Sequence, residues 1–107
     1  MVGDVDGRIA IIIDDMISTG ETLVLAAELL KERGAGQIYA AATHGIFAGN
    51  ALSLIGASAI GRVFITDSIP LPPVERHELI EVVSIAPLLA EAIMRIHKDM
   101  SVSALFV

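Results

Sequence analysis

Ile9-Ala10-Ile11-Ile12-Ile13-Asp14-Asp15-Met16-Ile17-Ser18-Thr19-Gly20-Glu21-Thr22 is the stretch on which the reading of this chain turns. An apolar strand carries two adjacent carboxylates to its end, a Ser/Thr/Gly turn follows, and a helix opens. In open α/β sheets, ligands bind beyond the carboxyl ends of the strands, where helix N-termini present unpaired N–H groups. Turn amides with the hydroxyls of Thr19 and Thr22 suit a phosphate. Asp14 and Asp15 suit sugar hydroxyls, either directly or through Mg²⁺, which takes oxygen ligands and keeps several waters. A phosphate at one end and a diol at the other describes a sugar phosphate. The plainer alternative is a strand–turn–helix with a polar tip. Adjacent strand residues face opposite ways, so both acids serve one ligand only if the strand ends and the backbone turns at them. Otherwise one of them caps a helix or accepts from a backbone N–H.

The rest of the composition narrows the class. At 107 residues the chain has the size of one domain. Hydrophobic residues make up 54% against 19% charged, and the mean hydropathy is +0.73, which excludes disorder. Strands buried on both faces read as continuous apolar runs, so the fold class expected is α/β, with about four parallel strands flanked by helices. The apolar excess also hints at surface meant for another domain or subunit. The net charge of −6 comes without any Lys/Arg cluster, which argues against nucleic acid as a partner. The chain has no cysteine, so disulfides and thiolate chemistry are excluded. Asp4 and Asp6 stand where a signal peptide is basic. No apolar run reaches the roughly 20 residues that span a bilayer. The cytoplasm is the expected compartment.

The expected element order is β-α-β-α-β-β-α. Strands are expected at Arg8–Ile13, Gln37–Thr43, Arg62–Thr66 and Leu79–Ile85. The first helix is expected over Thr22–Arg33, with Leu23, Ala26, Ala27 and Leu30 on one face and Gly34 ending it. A second is expected around Gly49 to Ile55, and a third opens at Pro87 and runs to about Lys98. Asp67 to Pro73 holds three prolines and is read as irregular. Ser101–Val107 alternates polar and apolar over its first half. The abrupt start ahead of the first strand suggests a fragment, or a domain that needs a partner.

Other motifs sort by their place on the sheet. No lysine lies between Met1 and Leu30, so no Walker-A loop is present there, and the dinucleotide fingerprint is also absent. His44 follows the second strand at the same edge as the acids, either as a site residue or as a turn-stabilising histidine. Asp67 ends the third strand within the polar tip Thr66-Asp67-Ser68 and is a second candidate for the site edge. His77 and His97 read as solvated loop and late-helix residues. The three histidines lack metal-ligand spacing.

The chain resembles ribose-phosphate pyrophosphokinases (phosphoribosyl pyrophosphate synthetases). Asp14-Asp15-Met16-Ile17-Ser18-Thr19-Gly20-Glu21-Thr22 is similar to the ribose-phosphate loop shared with type I phosphoribosyltransferases. Ala42-Thr43-His44-Gly45, Thr66-Asp67-Ser68-Ile69-Pro70, Ser84-Ile85-Ala86-Pro87-Leu88-Leu89-Ala90-Glu91-Ala92-Ile93, Ile96-His97 and Ser101-Val102-Ser103-Ala104-Leu105-Phe106 match the synthetases in order and spacing.

The resemblance covers essentially residues 1–107. It implies a three-layer, mostly parallel, phosphoribosyltransferase-like α/β domain, the C-terminal portion of a longer synthetase. The implied reaction transfers diphosphate from ATP to the anomeric hydroxyl of ribose 5-phosphate, with Mg²⁺ required, giving phosphoribosyl pyrophosphate and AMP. Asp14 and Asp15 would hold the ribose hydroxyls and meet Mg²⁺ indirectly. Ser18, Thr19, Gly20, Glu21 and Thr22 would surround the 5-phosphate. Two positions depart from the synthetases: Ser18 stands where they carry Asp, and Glu21 where they carry Gly. The first removes a polar contact; the second repels a phosphate unless it points to solvent. The ATP site, a metal-binding histidine and the catalytic basic loop lie upstream in the family, so this stretch would hold no catalytic residue and would rely on the missing N-terminal domain. The family also implies a homo-oligomer, at least a dimer. Two alternatives stay open: a free-standing phosphoribosyltransferase relative and a non-catalytic regulatory or structural homologue.

Overall fold

Parallel pairing of apolar strands builds the frame. The computed structural model describes residues 3–71, 78–98 and 101–106. Its order is β1 (Ile9–Ile17), α1 (Glu21–Glu32), β2 (Gln37–Gly45), α2 (Ala51–Gly56), β3 (Arg62–Thr66), β4 (Ile80–Val83) and α3 (Ala86–His97). The expected order of elements holds. All four strands lie in one sheet, β1-β2-β3-β4, and every neighbouring pair is parallel.

Consecutive right-handed crossovers place α1 and α2 on one face, where α1 touches α2, β1 and β2. That face holds the core. Ala10, Ile38, Ala40, Ala42, Val63 and Ile65 come from the strands, Leu23, Val24 and Ala27 from α1, and Ala51 and Ile55 from α2. The alanines of β2 leave room for the helix layer to approach the middle of the sheet. Gly34, at φ +89, ends α1 as expected. The N–H groups of Arg33, Gly34 and Ala35 donate to Leu29, Lys31 and Leu30, satisfying the last-turn carbonyls.

The opposite face is apolar and open. Ile9, Ile11 and Ile13 are 62%, 59% and 79% exposed. Tyr39 and Phe64 meet edge-to-face there, with ring centroids 6.3 Å apart. No side chain of α3 is buried, and Leu89, Ile93 and Ile96 are exposed. The radius of gyration of 16.4 Å exceeds the ~13 Å of a closed domain of this length. The apolar excess in the composition is therefore surface on this face and on α3, not a larger core.

Several boundaries move. β1 and β2 extend to Ile17 and Gly45, past the expected ends, because each keeps the other's backbone paired. β4 is shorter, Ile80–Val83, and α2 starts two residues later than expected. The alternating tail forms a 3-10 turn over Ser103–Phe106 rather than a strand. Residues 67–71 are irregular, as three prolines dictate, whereas Pro72, Pro73 and His77 lie outside the described residues.

Asp67 starts α3. Its carboxylate accepts the Ser84 hydroxyl at 2.6 Å and the Ile85 N–H at 2.9 Å, and the Ser84 Oγ accepts the Ala86 N–H at 3.2 Å. The Ser84 bond first, then the Ile85 N–H, hold the Asp67 carboxyl below its ordinary value. At the far end of α3, Arg95 pairs with Glu91 at 3.0 Å and donates to the Ser101 carbonyl at 3.2 Å, tying the tail to the helix.

Two outcomes follow from this packing. Ile55 is fully buried between α2 and the sheet, so Ile55→Ala should lower unfolding stability by about 2–5 kcal/mol, read by urea titration. Because the folded value of Asp67 lies below the unfolded one, its cap is complete above about pH 4. It is lost as pH falls through the folded value. The Ile85 amide resonance should follow that titration, and Asp67→Asn should abolish it; an Ile85 amide that titrates identically in both proteins would contradict the cap.

Candidate functional site

The first strand does not stop at the acids. β1 continues beside β2 with Asp14 opposite Ala42, Met16 opposite His44 and Ile17 opposite Gly45. The strand runs on past them because β2 goes on offering paired backbone as far as Gly45. Asp14 and Asp15 both stay on β1, and their side chains are close enough to interact. Asp14 accepts the Asp15 N–H at 2.8 Å. Hydrogen bonding with the Asp15 side chain first, then N–H donation from Asp15 and Met16, holds the Asp14 carboxyl below its ordinary range. It stays ionised, an acceptor only.

After Ile17 the chain turns through Ser18, Thr19 and Gly20. Gly20 adopts φ +80 and is the N-cap of α1. A Cβ there would stand 3.3 Å from Ile55, so both the left-handed backbone and the close approach call for glycine. The helix begins at Glu21, one residue before the expected Thr22, and no side chain caps it. The Gly20 carbonyl takes the Val24 N–H at 2.9 Å. The N–H groups of the first turn have no carbonyl within the helix and face the turn. An αL glycine cap with uncapped amides ahead of it is receptive to an anion.

A cavity of about 200 Å³ forms at this turn, lined by Asp14, Met16, Ile17, Ser18, Thr19, Gly20, Thr22 and Leu23. Five of the predicted residues thus come together: Asp14, Ser18, Thr19, Gly20 and Thr22. Asp15 and Glu21 are exposed and do not line it. Glu21 therefore stands outside this cavity. Asp14 also borders a shallow groove of about 230 Å³ on the open sheet face, with Ala41, Thr43, Phe64, Thr66 and Val83.

His44 and Asp67 stand apart from the cavity. His44 Nδ1 lies 2.7 Å from the Ser68 hydroxyl. Ser68 Oγ donates to the Thr43 carbonyl at 3.1 Å, beside Thr66 Oγ1 at 2.6 Å. With its only hydrogen on Thr43, Ser68 accepts from His44 Nδ1–H. This network ties the ends of β2 and β3. Asp67 is committed to the start of α3 and borders a separate cavity with Ile69, Pro70, Leu71 and Ile80.

The sequence reading missed Met16, Ile17 and Leu23 as lining residues, since it ended the strand too early. It also missed the loop after β2. Ile46 and Phe47 donate N–H bonds to the Ile17 carbonyl, at 2.9 and 3.2 Å, and Ala48 donates to the Ser18 carbonyl at 2.9 Å. Gly45 and Gly49 on either side of that loop were the available signal.

The sequence matches the phosphoribosyl synthetase-associated domain family over residues 1–107. It is 54% identical over 106 residues to a ribose-phosphate pyrophosphokinase of Caldanaerobacter subterraneus, covering 99% of this chain and 34% of that protein. It is 45% identical to that of Bacillus subtilis, covering 99% and 33%. The crystal structure of phosphoribosylpyrophosphate synthetase from Mycobacterium smegmatis superposes with a TM-score of 0.86 at 39% identity, over 92% of this chain and 33% of that one. This chain spans about a third of the length of the curated relatives it matches. The match also establishes the fold class as three-layer α/β, a mostly parallel sheet flanked by helices in the phosphoribosyltransferase manner. With residues 1–107 matched by the family model and the fold shared with a solved synthetase, the chain belongs to the phosphoribosyl synthetase-associated domain family.

Proposed function

We propose that this chain is the ribose 5-phosphate-binding portion of an ATP-dependent ribose-phosphate pyrophosphokinase. The parent reaction moves diphosphate from ATP to the anomeric hydroxyl of ribose 5-phosphate, giving phosphoribosyl pyrophosphate and AMP. The observation that carries the reading is the cavity after β1, which sets the uncapped first turn of α1 beside the ionised Asp14. One end offers N–H and hydroxyl donors to a phosphate, and the other offers an acceptor to a ribose hydroxyl. No Lys or Arg lines the cavity, so phosphate would rest on neutral donors and the helix terminus, worth about 0.3–2 kcal/mol from the dipole. Glu21 lies outside the lining, so its departure from the family pattern does not close the pocket. Ser18 still offers a hydroxyl.

The donor set fits Mg²⁺ in one way only. Among the described residues no three His, Cys, Asp or Glu gather as a metal site. Asp14 and Asp15 supply hard oxygens, and Mg²⁺ takes one or two carboxylates with the rest from water and substrate. Shared with a bound sugar, the ion would neutralise charge on the substrate. ATP and the catalytic basic groups belong to the remainder of the parent protein. No helix among the described residues is long and apolar enough to cross a membrane, and a cytoplasmic setting is part of this reading. The open face of Ile9, Ile11 and Ile13 suits cover by the missing N-terminal portion, and exposed α3 suits contact within a homo-oligomer.

Ribose 5-phosphate should bind this chain with a dissociation constant on the order of a millimolar, measured by calorimetry. Asp14→Asn should weaken ribose 5-phosphate by about tenfold, the loss of a hydrogen bond to a charged group, without weakening inorganic phosphate. Thr19→Ala and Thr22→Ala should weaken both ligands. Ligand heats identical in all four proteins would remove the site. Light scattering should give a mass of at least a dimer; a monomer at high concentration would count against the apolar faces as interfaces.

A further inference from the structure

The backbone after β2 holds an unusual conformation for a bulky residue. Phe47 has φ 53, the one positive φ outside glycine among the described residues. A β-carbon resists that left-handed region, and such conformations persist only where the surroundings over-determine them. Here the surroundings do. The ring is 6% exposed and lies over Gly45, where a Cβ would stand 2.7 Å from Phe47 Cε2 and 2.8 Å from Ile65 Cδ1.

The left-handed step aims three successive amides at the turn before α1. The N–H groups of Ile46 and Phe47 converge on the Ile17 carbonyl, and that of Ala48 reaches the Ser18 carbonyl. An extended or right-handed Phe47 would swing at least one of these donors away. Gly20, at the other end of the turn, faces Ile55 so closely that a Cβ there would stand 3.3 Å from it. The turn is therefore gripped at its base by amides and seated at its tip on α2. We infer that Phe47 is a positioning residue for the anion-binding turn, holding residues 18–20 in the shape that presents the first-turn amides of α1 to a phosphate. The inference deepens the sugar-phosphate reading and rests on it for the identity of the ligand.

An ordinary core role for Phe47 would affect stability alone, so the test reads the turn separately. In ¹H–¹⁵N spectra of this chain, inorganic phosphate is titrated and amide exchange is followed at Ile46, Phe47 and Ala48. Phe47→Ala should weaken phosphate by about tenfold, the scale of a hydrogen-bonded contact to a charged group, and should speed Ala48 exchange beyond the global unfolding rate. Phe47→Leu, which restores bulk over Gly45, should recover most of both. Ile38→Ala, buried at the far end of β2, should cost comparable urea stability while leaving phosphate affinity and Ala48 exchange unchanged. The inference is overturned if Phe47→Ala keeps phosphate affinity within about twofold and Ala48 as protected as before, or if Ile38→Ala disturbs the turn equally. A parent chain whose amides 19–22 ignore phosphate would refute the ligand reading instead, and Ala48 exchange in the Phe47 variants would still decide whether the turn is held this way.

Discussion

The parallel pairing of β1 with β2, continued beyond the acids to Ile17 and Gly45, is the constraint on which the carboxyl edge depends. It keeps Asp14 and Asp15 on the strand rather than on a turn. It brings the Ile17 and Ser18 carbonyls within reach of the amides after β2. It also leaves Gly45 where Phe47 and Ile65 close in on the backbone, a place with no room for a β-carbon. Shortening that pairing by two residues would release the turn, the loop that grips it and the cavity the turn lines.

Among the described residues no buried side chain is polar or charged, so the interior is held by apolar packing and the backbone ladder. The hydrogen bonds that join elements through side chains cluster at the carboxyl ends of β2 and β3: His44 with Ser68, Thr66 with Thr43, and Asp67 with Ser84 and Ile85. The cross-strand ion pair of Arg62 with Glu81 is about half exposed and contributes little. An apolar frame with donors and acceptors gathered past the strand ends is the arrangement by which open parallel sheets bind small ligands.

The open face gives the family relationship a physical counterpart. A chain covering about a third of its relatives' length carries isoleucines on β1 that are more than half exposed. Burying such side chains is worth about 25 cal/mol per Å², which is stabilisation this chain by itself leaves unused. That face and the proposed division of labour, with sugar phosphate here and nucleotide elsewhere, point to the same larger assembly.

Local pattern carried much of this molecule. The apolar run before Asp14, the helical spacing of Leu23, Ala27 and Leu30, Gly34 as the stop of α1 and the prolines after Asp67 reported element types and order, because each depends on near neighbours in the chain. The Ser18–Thr22 stretch was legible as a strand-to-helix turn for the same reason. The extent of β1 was not, because strand ends are set by the partner strand, and the place of Met16 and Leu23 in the cavity lining follows from that extent. Neither the role of Thr22, inside the helix rather than at its start, nor the commitment of Asp67 to α3 could be read locally, since each depends on where Gly20 and Ser84 fall in space. Phe47 left no local sign at all. Its left-handed backbone exists only because Gly45, Ile65 and the carbonyls of Ile17 and Ser18, distant in sequence, meet around it.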